Sequence, residues 1–195
     1  MNTKTACFTG PRPKNILGYA YGYNPKSYEP FIIQLKDYLR HLYDTQNVTT
    51  FITGGAQGFD QIAFQAVELL KSERTGIKNI VYVPFKGQER QWKETGMFSQ
   101  AEYHAMIEKA DAVKYLRQEL YDSSAIMKAL FDRNHKMLQA SDFVIALYKD
   151  DTWLQAKGGT AECMRYAKKS KKPIEQIIYS VTNNEIVMNG VKTWQ

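Results

Sequence analysis

The chain has 195 residues, 44% of them hydrophobic and 24% charged, the composition of an ordinary globular protein and not of a disordered one. At a typical domain size of about 150 residues, one domain spanning residues 1–195 is expected. The net charge is +6, from 26 basic and 20 acidic residues, and it is concentrated in Lys157 to Lys172, which leaves the rest of the chain about neutral.

In chain order, Thr5 to Thr9 reads as a first strand, ended by Gly10-Pro11-Arg12-Pro13. A Tyr/Gly/Pro-rich loop is expected from Tyr19 to Pro25, then a helix from Tyr28 to Tyr43 with Phe31, Leu35, Leu39 and Leu42 on one stripe. Val48 to Thr53 is a second strand, and a helix from Asp60 places Ile62, Ala63, Ala66 and Leu70 at helical spacing. Asn79 to Pro84 is a third strand, Gln100 to Lys109 a helix and Ala112 to Leu116 a fourth strand. Ser123 to Ala140 follows as a helix, Phe143 to Tyr148 as a fifth strand, Thr160 to Lys171 as a helix and Glu175 to Ser180 as a sixth strand. Continuous apolar strands separated by helices indicate a mostly parallel sheet covered on both faces. The expected fold is therefore α/β, a Rossmann-like three-layer sandwich of about six strands, with ligands beyond the carboxyl ends of the strands.

Two loops at that end carry glycines. Gly54-Gly55-Ala56-Gln57-Gly58-Phe59-Asp60 joins a strand to a helix, where backbone N–H groups and a helix N-terminus suit an anion; Asp60 as an N-cap is the plainer alternative. Gly158-Gly159-Thr160 opens a second such helix, with Glu162 in its first turn. The apolar stripe of the helix Ser123 to Ala140 runs onto Arg133 and Asn134, where apolar residues are expected. Burying either without a partner costs several kcal/mol. They face either the ligand cleft or an internal ion pair with Asp111, Asp132 or Asp142. Arg12, between two prolines, suits a phosphate or carboxylate, and Gln88 and Trp92 follow the third strand, where the indole stacks on a base or caps the core. His41, His104 and His135 lack metal-type spacing, and Cys7 and Cys163 sit in apolar patterns as buried thiols. No metal is expected.

The ordered set of Thr9-Gly10-Pro11-Arg12-Pro13, the loop 54–60, Gln88 with Trp92, Arg133-Asn134 with Met137, and Gly158-Gly159-Thr160 with Glu162 resembles the YpsA-like branch of the SLOG superfamily, which unites Smf/DprA and LOG proteins. The resemblance implies a Rossmann-like domain whose glycine-rich loops bind nucleotides or nucleotide-derived ligands, as sensors or processors in stress, defence and phage conflict. It implies ligand binding by Thr9, Gly10, Arg12, Gly54, Gly55, Gln57, Gly58, Asp60, Gln88, Trp92, Arg133, Asn134, Gly158, Gly159 and Thr160. LOG proteins cleave the base from nucleoside monophosphates with an arginine four residues before a methionine and a glutamate after Gly-Thr. Arg133 with Met137 matches the first element. Glu162 stands two residues after Thr160, where LOG proteins have three.

The first expectation is thus a binding protein for a nucleotide-like small molecule. The alternative is a phosphoribohydrolase with Glu162 and Arg133 as its catalytic pair. The third is a single-stranded DNA-binding or protein-interaction module using Lys168 to Lys172. The near-neutral remainder of the chain argues against nucleic acid, and lysines in a helix's last turn are explained by its dipole. No cofactor is expected. No apolar run approaches the roughly 20 residues of a membrane span and no signal-peptide core is present, so the expected location is the cytoplasm, with a homodimer as the expected assembly.

Overall fold

The computed structural model describes residues 2–21, 23–93 and 95–195. Its elements are β1 (Lys4–Thr9), α1 (Pro13–Tyr21), α2 (Glu29–Gln46), β2 (Val48–Thr53), α3 (Phe59–Lys71), β3 (Lys78–Val83), α4 (Gln100–Lys109), β4 (Ala112–Tyr115), α5 (Ser123–Gln139), β5 (Phe143–Leu147), α6 (Gly159–Lys169), β6 (Ile174–Thr182) and β7 (Glu185–Trp194). The strands form one sheet in the order β4-β3-β2-β1-β5-β6-β7. All neighbours are parallel except β6 and β7. This is the expected α/β three-layer sandwich, with a seventh strand added at one edge.

Alternation along the strands divides the core. Ala6, Phe8, Phe51 and Ile145 point to the face covered by α2 and α3, where Phe31, Leu35, Ile62 and Val67 meet them. Cys7, Ile52, Val144 and Ala146 point to the opposite face, against Met137 and Leu138 of α5 and Met164 and Ala167 of α6. Central strands buried on both faces must be apolar at every position; β5, FVIAL, is buried throughout.

Three differences from the expected elements have physical causes. The segment expected as a loop from Tyr19 begins inside α1, whose start at Pro13 uses a residue with φ preset for a first helical turn and whose run is kinked at Gly18; Gly22 lies outside the described residues. β6 runs past Ser180 to Thr182 because β7 pairs with it along its whole length. The turn between them is Asn183-Asn184, both in the left-handed region (φ 52° and 62°), the geometry of a tight hairpin. No described helix is long and apolar enough to cross a membrane.

Candidate functional site

From β1 the chain crosses to β2 on one side, and from β5 to β6 on the other, so the sheet's topological switch point lies between β1 and β5. Loops leaving adjacent strands in opposite directions cannot fill the space above them. A cavity of about 430 Å³ opens there. Its floor is Phe8 and Thr9 of β1 with Leu147 of β5, and its rim is residues 10–12, 148–149 and 157–161. One wall is Met127, Leu130, Phe131, Arg133 and Asn134 of α5, and Tyr179 of β6 closes part of another.

The charge of the lining is one-sided. Arg12, Arg133, Lys149 and Lys157 face a single carboxylate, Asp60. The two arginines are held differently. Arg133 is buried, with its side chain 7% exposed, and its Nη1 donates to Asp60 Oδ2 at 3.1 Å. The same oxygen accepts the Ala56 N–H at 3.2 Å, and Arg133 Nε is left without a partner among the described residues. The guanidinium meets Gly54 with its Nη1 end, which stands 1.1 Å from where a Cβ would be. A glycine is therefore obligatory there. The Asn15 N–H donates to the Arg12 carbonyl at 2.9 Å, but the Arg12 guanidinium makes no hydrogen bond or ion pair with a described residue. Burial and the neighbouring Arg133 lower its pKa from the ordinary arginine value, with Asp60 opposing.

The N-terminus of α6 completes the rim. Its N-cap, Gly158, has φ 120° with open space around it, and no side chain caps the helix. The first N–H groups of a helix have no intrahelical acceptor. Those of Gly159, Thr160 and Ala161 belong to residues lining the cavity, with the positive end of the helix dipole behind them.

Of the residues expected at the site, Thr9, Gly10, Arg12, Asp60, Arg133, Asn134, Gly158, Gly159 and Thr160 line this cavity. The acids expected as internal partners of Arg133 are engaged elsewhere: Asp111 with Lys71 and the Asn79 N–H, Asp132 with Arg117, and Asp142 with the Thr5 N–H. Gly54, Gly55 and Gly58 form the loop behind Arg133 and Asp60 and do not line the cavity. Gln57 turns away to donate to the Phe98 carbonyl at 2.7 Å. Gln88 donates to the Gly54 carbonyl and to Tyr103 Oη, and Trp92 packs edge-on against Tyr103, ring centroids 5.3 Å apart. Both follow β3, which is separated from β1 by β2.

Glu162 also lies outside the lining. Its Oε1 is 3.2 Å from His135 Nε2, its Oε2 is buried without a partner among the described residues, and the imidazole stacks on Tyr166 at 3.8 Å. Cys163 is buried and its thiol is pushed up chiefly by that burial, which removes the thiolate a nucleophile needs. The basic stretch is dispersed: Lys157 stands at the cavity rim, Arg165 donates to the Trp153 and Ala156 carbonyls, Lys168 and Lys169 occupy the last turn of α6, and Lys172 donates to the Ser141 carbonyl.

Sequence reading did not single out Asn15, Tyr148, Lys149 or Tyr179, which also line the cavity. Tyr148 and Lys149 were detectable, since they directly follow the strand ending at the rim. Tyr179 was not, because it sits within a strand.

A mostly parallel sheet of this order with a basic cavity at its switch point places the molecule among Rossmann-like α/β proteins. The chain belongs to the YspA SLOG family, whose sequence model matches residues 6–181. It is similar to the SPbeta prophage-derived protein YoqJ of Bacillus subtilis (strain 168), 33% identical over 152 residues that cover 72% of this chain and 84% of YoqJ. It is also similar to a UPF0398 protein of Bacillus licheniformis, 24% identical, with 69% of this chain and 68% of the relative covered. A UPF0398 protein of Bacillus velezensis is 25% identical, with 76% and 75% covered.

Proposed function

We propose that the switch-point cavity binds a nucleotide or nucleotide-derived ligand through its phosphate groups. The observation that carries this reading is the meeting of the uncapped N-terminus of α6 with Arg12, whose guanidinium has no hydrogen-bond or ion-pair partner among the described residues, in a lining of four cations and one carboxylate. In this reading the α6 N–H groups and Thr160 hold phosphate, Arg12 neutralises it, and the phenol of Tyr148 or Tyr179 offers a flat surface to a base. Arg133 and Asp60 form the fixed wall against which the ligand is placed. Gln88, Trp92 and Gln57 act in this reading by supporting the loop 54–58. The prophage derivation in YoqJ's name supports a use in conflict between phage and host, with capture of a signalling nucleotide as the activity.

Binding without base release is favoured over hydrolysis because Glu162 is held by His135 outside the lining. Thermal unfolding with a panel of nucleoside mono-, di- and triphosphates and dinucleotides tests the reading. A ligand at 100 times its Kd adds about 2.7 kcal/mol, about 5–10 °C for a chain of this size. A panel in which no member raises the melting temperature rejects it. Release of free base from a monophosphate, abolished in Glu162→Gln, would instead establish the hydrolase.

A further inference from the structure

A second concavity of about 550 Å³ lies between α2, α3 and α4, and it shares no lining residue with the switch-point cavity. Its walls are Ile32 and Ile33 of α2, Phe64 and Leu69 of α3, and Met106 of α4. Ile33 and Leu69 are 48% and 40% exposed, although the helices that carry them bury the rest of their apolar stripes in the core. Concave apolar surface rimmed by polar residues marks an interaction site.

The rim identifies the occupant. In a chain of net charge +6, this groove carries Glu29, Glu68 and Glu102 against Lys109. Glu68 is held by Lys71 and Asn79, whereas Glu29 and Glu102 have no ion pair with a described residue. A second copy pairing through the same groove would set these carboxylates against their own counterparts. The chain's basic helix, α6, has its apolar residues Ala161, Cys163, Met164 and Ala167 buried in its own core, so it offers no apolar stripe to a neighbour. From this we infer that the α2/α3/α4 groove docks a basic amphipathic helix of another protein, its apolar ridge between Ile33, Leu69 and Met106 and its lysines or arginines against Glu29 and Glu102. Such helix-in-groove recognition joins apolar anchors to a charged rim.

A fluorescent synthetic Leu/Lys amphipathic helix of about five turns (~18 residues) is titrated into the whole protein beside its Leu/Glu counterpart. The expected result is binding of the Leu/Lys helix alone, weakened at least tenfold in Glu29→Lys/Glu102→Lys and in Leu69→Asp. Hydrogen-exchange protection is expected on α2, α3 and α4 only. The charge-reversal pair, whose carboxylates stand in the first turns of α2 and α4, is expected to stay folded with its melting temperature lowered by no more than a few degrees. Equal binding of both helices, no binding, binding unaffected by the charge reversal, or a dimer in sedimentation velocity that Leu69→Asp dissolves would each overturn the inference.

Discussion

Two arginines that line one cavity with a single carboxylate have opposite destinies. Arg133 is an internal wall: its charge is spent on Asp60, and removing that partner leaves a buried guanidinium alone. Asp60→Asn is therefore expected to cost about 3–5 kcal/mol, measured as a lower urea midpoint. Arg12 has no such commitment. Arg12→Ala removes a partly buried cation whose desolvation no hydrogen bond or ion pair with a described residue offsets, so it should not lower the urea midpoint. It should weaken nucleotide binding about tenfold to hundredfold, the value of a hydrogen bond to a charged group, read by calorimetry. At this scale the sequence was informative for Arg133, because a charged residue on an apolar stripe is a visible misfit. Its partner was hidden, since Asp60 lies 73 residues away and local pattern contains no information about which acid a fold will bring back.

Among the elements, the β6–β7 hairpin adds to its backbone ladder an anchor in the side chain of Gln176. Gln176 is fully buried. Its Nε2 donates to the Tyr148 and Asp150 carbonyls at 3.2 and 2.8 Å, and its Oε1 accepts from the indoles of Trp153 and Trp194 at 3.2 and 2.8 Å. All four bonding positions of the amide are used, so the end of β7 is tied to the loop that brings Tyr148 and Lys149 to the cavity. Gln176→Leu leaves four polar groups to find water or go without, at about 1–3 kcal/mol for each that stays buried. A large fall in the urea midpoint and a red-shifted tryptophan emission are expected. β5 was legible because a strand buried on both faces reads as an unbroken apolar run, and β1 to β3 because their carboxyl halves are buried in the same way. β4 is an exposed edge strand and carries no such signal. β7, EIVMNGVKTW, mixes polar residues and a glycine with apolar ones and is buried only at Ile186, so no strand signal rose above its surroundings. α1 was hidden by its proline, glycine and tyrosines.

For the whole molecule, titration should follow the many acids that folding keeps protonated. Burial raises Cys7 and Tyr179 to about 12, and it raises Cys163, Tyr28, Tyr38 and Tyr103 as well. In the unfolded chain thiols lose protons near pH 8.5 and phenols near 10. Above that range the native state binds more protons than the unfolded one, so the stabilisation is complete below about pH 8.5 and declines toward pH 12. Urea midpoints are expected to be nearly level from pH 7.5 to about 8.5 and to fall increasingly from there to pH 10.5, and a profile level throughout would contradict this. The expectation that Gln88 and Trp92 share the site with Arg12 depended on strand order, which no local pattern encodes. The class of sheet was readable from the alternation of strands and helices, whereas the placement of β3 beyond β2 is settled only by packing.

The switch-point cavity draws its lining from segments as far apart as Phe8 to Arg12, Asp60, one face of α5, Leu147 to Lys149, Lys157 to Ala161 and Tyr179, because β1 is matched with β5 along Ala6↔Phe143 to Thr9↔Ala146. Contacts this distant in the chain form late and slowly. On the ribosome the amino-terminal strands can therefore emerge and collapse with their helices while no pocket yet exists. Only when the last third of the polypeptide has docked is the lining complete, so the ligand capture proposed above would report finished folding and is expected to be lost in a prematurely terminated chain.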